Sequence, residues 1–106
     1  MRIVVVNLAI AKRASINIDR GTIFGNPNRI TQYVSREKAI ARYRHWLKDH
    51  PEIVEELATQ TLAVFARGAD TVTYGCHCKP EECHGDYLRD EVRKLIVTWA
   101  LKGRIA

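Results

Sequence analysis

After Met1-Arg2 the chain runs into Ile3-Val4-Val5-Val6, four β-branched residues in succession with no polar alternation. Such a run reads as a strand buried on both faces, the habit of a parallel sheet lying under helices. Thr71-Val72-Thr73-Tyr74 reads as a second strand, ending at Gly75-Cys76-His77-Cys78-Lys79-Pro80, a stretch that regular elements tolerate poorly. Between the two, Ser35 stands as a helix N-cap with Glu37 in the first turn, where the helix dipole favours an anion. Ala39, Ile40, Tyr43 and Leu47 follow on one helical face with Trp46 at its edge. Pro51 ends that helix near His50 and suits the first position of the next, whose start carries Glu52, Glu55 and Glu56. Val54, Leu57, Ala58, Thr61, Leu62 and Phe65 make its apolar stripe, and Arg67-Gly68 closes it. A last helix begins between Glu81 and His84 and carries Leu88, Val92, Leu95, Ile96 and Trp99 on one side.

Residues 8–28 show no helical period and hold Asn17, Asp19, Gly21, Gly25, Asn26, Pro27 and Asn28. They predict a long irregular connection, with a short hairpin of 16–18 against 22–24, and a loop of this length in a compact domain is usually functional. The order of elements predicts a small Rossmann-like α/β layered domain, with a short, mainly parallel sheet and three main helices. No internal repeat, low-complexity tract or linker interrupts it, so residues 1–106 are expected to form a single domain.

Composition narrows the class. The chain is 46% hydrophobic and 27% charged over 106 residues, enough for one modest core and unlike a disordered chain. The apolar run near the N-terminus is far shorter than the roughly 20 residues of a membrane span, and no signal-peptide pattern follows Met1. An odd number of cysteines, three, argues against a disulfide framework. The expectation is therefore a cytoplasmic protein without a membrane partner. Charge is uneven: residues 1–48 hold ten Lys and Arg against Asp19 and Glu37, a net +8, whereas residues 49–106 hold seven against ten, a net −3. A basic half attracts phosphates, on a nucleotide or a nucleic acid, although a solvated face accounts for helix-borne arginines equally well.

Every cysteine falls within Cys76-His77-Cys78-Lys79-Pro80-Glu81-Glu82-Cys83-His84-Gly85-Asp86, between the end of a strand and the start of a helix. Open α/β sheets bind ligands at such turns, a helix start attracts anions, and the same field lowers a thiol's pKa. Three readings compete. Cys76, Cys78, Cys83 and His84 are zinc-ligand types, but a C-x-C followed by an adjacent Cys-His departs from the usual two-knuckle spacing, and no metal or other cofactor is expected. Cys83 or Cys76 as nucleophile, with His84 or His77 as base and Asp86 as orienter, is the covalent reading. In the third, the segment is a binding loop in which backbone N–H groups near 83–86 hold an anion, His84 and Asp86 make polar contacts, and the cysteines pack or hydrogen-bond. The bland alternative makes Cys76 and Cys78 small buried hydrophobes and His84 a helix cap.

The second candidate is Asp19-Arg20-Gly21-Thr22-Ile23-Phe24-Gly25-Asn26-Pro27. Gly21 and Gly25 allow tight backbone, Asn26-Pro27 sets a turn, Arg20 suits a two-pronged clamp on phosphate or carboxylate, and Phe24 suits stacking on a base. The competing reading is an ordinary hairpin with Phe24 in the core. The loop lacks the Gly-Lys-Ser/Thr ending of a Walker loop and the dinucleotide glycine pattern.

These segments resemble a family of small phage and bacterial proteins classed as a domain of unknown function. The matching features are Arg20-Gly21 to Phe24-Gly25-Asn26-Pro27, the helix from Arg36-Glu37 to Leu47, and Cys76 to Asp86. The family pattern has an aromatic residue between the first two cysteines and another after Asn-Pro, where this chain has His77 and Asn28. A looser likeness to another uncharacterised α/β family, with a Cys-His-Arg triplet at the same turn, meets His84-Gly85 here. The resemblance implies an α/β fold, a bacterial or phage-infected host cell and a site, but no reaction.

If the two strands pair in parallel, the loops that follow them emerge at one edge. Arg20, Gly21, Phe24, Gly25 and Asn26 would then face Cys76, Cys78, Cys83, His84 and Asp86 across one cleft. The expected ligand is small and phosphorylated or nucleotide-like; if the cleft is catalytic, Cys83, His84 and Asp86 carry the chemistry and Arg20 clamps the anion. Two other classes compete with it. One is a nucleic-acid-binding accessory factor using Arg36, Lys38, Arg42, Arg44 and Lys48, and the other a zinc-stabilised interaction module.

Overall fold

The computed structural model describes residues 2–19, 21–27, 34–77 and 83–103. Strands β1 (Arg2–Asn7), β2 (Ile16–Asn17) and β3 (Thr71–Cys76) form a three-stranded sheet in the order β1-β3-β2, with both pairings parallel. The helices are α1 (Leu8–Ala11), α2 (Arg36–Lys48), α3 (Pro51–Ala66) and α4 (His84–Leu101). The α/β fold and the three main helices expected from periodicity are present. No helix among the described residues is long and apolar enough to cross a membrane.

Local chemistry explains the helix ends. Ser35 is extended, and its hydroxyl accepts the Lys38 N–H at 3.2 Å. Pro51 opens α3, where its missing N–H is not needed. Gly68 takes a φ of 99° immediately after α3, a conformation that a side chain would strain.

Ile3, Val5, Val72, Tyr74 and Cys76 point to the helical face, where α3 and α4 lie on the sheet and α2 packs against both. The apolar surfaces of α4 (Leu88, Val92, Ile96, Trp99) and of α3 (Leu57, Ala58) meet there, so Trp99 is a core residue. The largest fully buried side chains include Tyr43 and Tyr74. Thr61 has one hydroxyl hydrogen and donates it to the Leu57 carbonyl at 2.7 Å, so the Tyr74 hydroxyl, 2.6 Å away, is the donor to Thr61.

The strands and the segment after β1 depart from the sequence expectation in four ways. Val4 and Val6 are only half-buried, because the second face of the sheet is covered by the short α1 and the residues around Ala14 rather than by a full helix layer. The hairpin of 16–18 against 22–24 does not form: Ile16 and Asn17 pair in parallel with Tyr74 and Gly75 instead, and 22–24 lie in turns. The central strand offers two free edges, and burial of Ile16 and Ile18 outweighs local turn propensity. The expected irregular connection contains a helical turn, started by the Asn7 side chain accepting the Ala9 N–H at 2.9 Å. Finally, β3 continues through Gly75 and Cys76, because both are paired with β1 and a glycine is the residue that fits under Leu8.

A Cβ at Gly75 would sit 2.5 Å from Leu8 Cδ2 and 2.8 Å from Ala14 Cβ. Gly75→Ala is expected to lower stability by about 1–3 kcal/mol, read as a reduced urea midpoint with an unchanged slope. Burial pushes the Tyr74 phenol up to about 12 from 10.0. The folded state therefore keeps the proton that the unfolded chain releases, and this stability is whole below pH 10.0 and falls as pH rises to about 12. Tyr74→Phe should flatten the alkaline loss by up to about 1.4 kcal/mol per pH unit in denaturant titrations across that window.

Candidate functional site

Because the three strands run in one direction, their carboxyl ends, Asn7, Asn17 and Cys76, lie along one edge of the sheet. β1 passes directly into α1 on the face toward which Gly75 points, as the closeness of Leu8 and Ala14 to that glycine shows. β3 leads to α4 on the opposite face, where Gly85 lies against Val5 and Ile18; a Cβ on Gly85 would be 2.6 Å from Ile18 Cδ1 and 3.0 Å from Val5 Cγ1. Neighbouring parallel strands thus send their connections to opposite faces, the arrangement at which open α/β sheets hold ligands.

The start of α4 is built from Cys83 and His84. Cys83 is extended, its Sγ accepts the Gly85 N–H at 3.3 Å, and its carbonyl accepts the Asp86 N–H at 3.1 Å. Sulfur is a weak acceptor, but here it is 2% exposed and takes the part that a serine or aspartate oxygen takes at most N-caps. His84 is 6% exposed, with Nε2 2.6 Å from the Ile18 carbonyl oxygen. A carbonyl only accepts, so Nε2 carries the hydrogen; in the neutral ring Nδ1 is then an acceptor, 3.7 Å from Cys83 Sγ.

Tyr43 of α2 completes the frame. Its ring meets His84 edge-on, with centroids 5.2 Å apart, and its hydroxyl donates to the Phe24 carbonyl at 2.7 Å. Burial raises the pKa of this phenol, and Cys83 and then Tyr87 add to the shift, so it is a neutral donor. Asn26 donates from Nδ2 to the Ala39 carbonyl at 3.1 Å. Residues 24–26 are therefore tied to α2, and Ile18 is tied to α4. Between these ties Asp19 and Thr22 form a tight turn, in which the Thr22 N–H and hydroxyl both bond the Asp19 carbonyl. Beyond β3, His77 Nε2 stands 3.4 Å from Asp19 Oδ2.

The residues singled out from sequence fall into distinct groups. Cys76, Cys83, His84 and Asn26 are buried, Asp86 and Gly25 are half-buried and Gly21 is exposed. Asp86 lies in the first turn of α4, 3.8 Å from Arg89 Nη1. Phe24 is 3% exposed and belongs to the core, so its ring is not open to a stacking base. The core reading of that residue is the one adopted, because the Tyr43 hydroxyl holds the Phe24 backbone against α2 and turns the ring inward. Arg20 and Cys78 lie outside the described residues. Among the described residues no three His, Cys, Asp or Glu side chains come together as a metal site.

Sequence reasoning missed Tyr43, the Ile18 carbonyl and the Asp19–His77 pair as parts of this region. Tyr43 carried a readable signal, since a phenol on an otherwise aliphatic helical stripe needs a buried acceptor. The Ile18 carbonyl had none, because any backbone oxygen looks alike in sequence.

No curated protein and no solved structure matches the chain. A family model does match, over residues 6–94, which take in both turns and the helices between them; the chain belongs to the domain of unknown function family DUF4326.

Proposed function

We propose that the protein binds a small nucleotide-like or otherwise phosphorylated ligand at the carboxyl edge of the sheet, between the 20–27 segment and the first turn of α4. One observation carries the reading: β1 and β3 are adjacent and parallel, yet their connections leave on opposite faces with the 18-residue α4 starting at the junction. The positive end of a helix of that length suits an anion, and Arg20 supplies a full charge from the adjoining segment. The His84–Ile18 bond supports it further, since it ties the chain just before the 20–27 segment to the first turn of α4.

Within this reading the roles divide by exposure. Asp86 has 27% of its side chain open and is the group assigned to a sugar hydroxyl or to proton transfer. Cys83 and His84 are positioning residues: the sulfur caps α4, and the imidazole is bonded to Ile18. An N-glycosidic or phosphoester bond suits such a set of groups.

A thermal-shift panel of nucleotides, nucleosides and sugar phosphates tests the proposal. A true ligand at about ten times its Kd adds roughly 1.4 kcal/mol, which for a chain of this length raises Tm by about 5 °C. Arg20→Ala and His84→Ala are each expected to weaken the same compound, Arg20→Ala without lowering the ligand-free Tm. Absence of any shift with phosphate-bearing compounds at millimolar concentration, or a shift that survives in both variants, would overturn the assignment.

A further inference from the structure

Three cations of α2 have no ion pair among the described residues, in contrast to the cations of α4. On α4, Arg89 lies 3.3 Å from Asp90, Arg93 lies 3.9 Å from the same carboxylate, and Lys94 lies 3.6 Å from Glu91. On α2, Lys38, Arg42 and Lys48 are exposed, and among the described residues none of them has an ion pair. Arg44 is exposed too and rests over the Tyr87 ring, 5.1 Å from its centroid. Glu37 is the only carboxylate within the helix. The inner face of α2 is spent on the core through Ala39, Ile40, Tyr43 and Leu47, so this excess cation charge faces water.

An aromatic ring stands beside it. Trp46 is half-buried, stacked on Tyr43 at 5.8 Å and leaning on His50 at 4.5 Å, which fixes its plane. It borders an open depression of about 600 Å³ shared with Pro27, Ala41, Arg42, His45 and Asp49. Lys38 and Arg42 are one helical turn apart, and Trp46 follows Arg42 by one more, so these two cations and the ring share one side of α2, whereas Lys48 lies on another side, beside Pro51 and Lys94. Among the described residues the exposed large hydrophobic side chains are Ile10, Ile23, Val97 and Leu101, none of them on α2, where a lipid surface or an apolar partner helix would need an apolar wedge.

We propose that this face of α2 binds single-stranded nucleic acid, with Lys38 and Arg42 on successive phosphates and Trp46 stacked against an unpaired base. Phosphate charge answers cations that have no ion pair among the described residues, and a ring already held in place loses little freedom on stacking. An unpaired strand is favoured over a duplex because the bases of a duplex are already stacked on their neighbours and do not offer a face to the ring. The surface is separate from Asp86, and the inference does not rest on the ligand reading given above.

The test is a titration of the full-length chain with a fluorescein-labelled oligothymidylate of about 15 nucleotides, followed by anisotropy and by tryptophan emission. Two phosphate contacts give a slope of log K against log salt of about −1.4, and K38E/R42E should bring it close to zero. Tryptophan quenching should accompany binding and vanish in Trp46→Leu, while Trp99 in the core still reports a folded chain. K94E/K102E carries the same change in net charge on the other side of the charge distribution and should bind like the parent. No saturable binding at low salt, equal losses in the two charge-reversed variants, tighter binding to the matching duplex, or binding only to anionic phosphatidylserine vesicles would each overturn the proposal.

Discussion

The placement of β3 between β1 and β2, parallel to both, is the constraint on which the remaining geometry depends. A parallel strand cannot be reached by a tight turn, so the chain must travel back along the sheet before each pairing. The return from β2 to β3 is long and holds α2 and α3, of which α3 lies with α4 on one face and α2 packs against both helices; the return from β1 to β2 is short and holds only α1. That inequality leaves one face well covered and the other half open. It also gathers three strand ends and the start of α4 at a single edge.

At that edge the polar groups are mostly used to hold backbone. The imidazole of His84 is bonded to the Ile18 carbonyl, the Tyr43 phenol to the Phe24 carbonyl, and the Asn26 amide to the Ala39 carbonyl. A backbone carbonyl brought out of water and left without a donor costs about 1–3 kcal/mol, so each of these side chains relieves a cost that packing itself creates. The Cys83 sulfur does the same for an N–H at the start of α4. Residues dense in chemistry need not be reactive; here several form a frame, with Asp86 half-buried beside it and exposed cations on α2.

α2 shows how one amphipathic helix serves both purposes. Its inner stripe contributes Tyr43 and Leu47 to the core, and Tyr43 also joins the two polar turns. Its outer stripe holds exposed cations, which a marginal fold tolerates because they remain hydrated. The uneven charge of the two halves of the chain is thus concentrated on an element whose packing is already satisfied on its other side.

Much of this was legible in the residues themselves. Periodicity marked α2, α3 and α4, and Ser35, Pro51 and Gly68 marked their ends, because helical period and capping are local properties. β-branched runs marked β1 and β3, and the motifs around 20–27 and 76–86 pointed to an uncharacterised family. Partners across the fold were not legible. Ile16 and Asn17 form a strand only because the edge of β3 is there to receive them, and the Tyr43 phenol finds its acceptor only in the Phe24 carbonyl that the fold brings to it. Likewise the nitrogen of His84 is committed to an oxygen 66 positions away along the chain. Local sequence determines which segments are helices and strands, since neighbours in the chain set those energies. Which polar groups remain available for chemistry is decided only when distant backbone is brought together, because burial and the need to satisfy buried donors and acceptors exist only in the packed state.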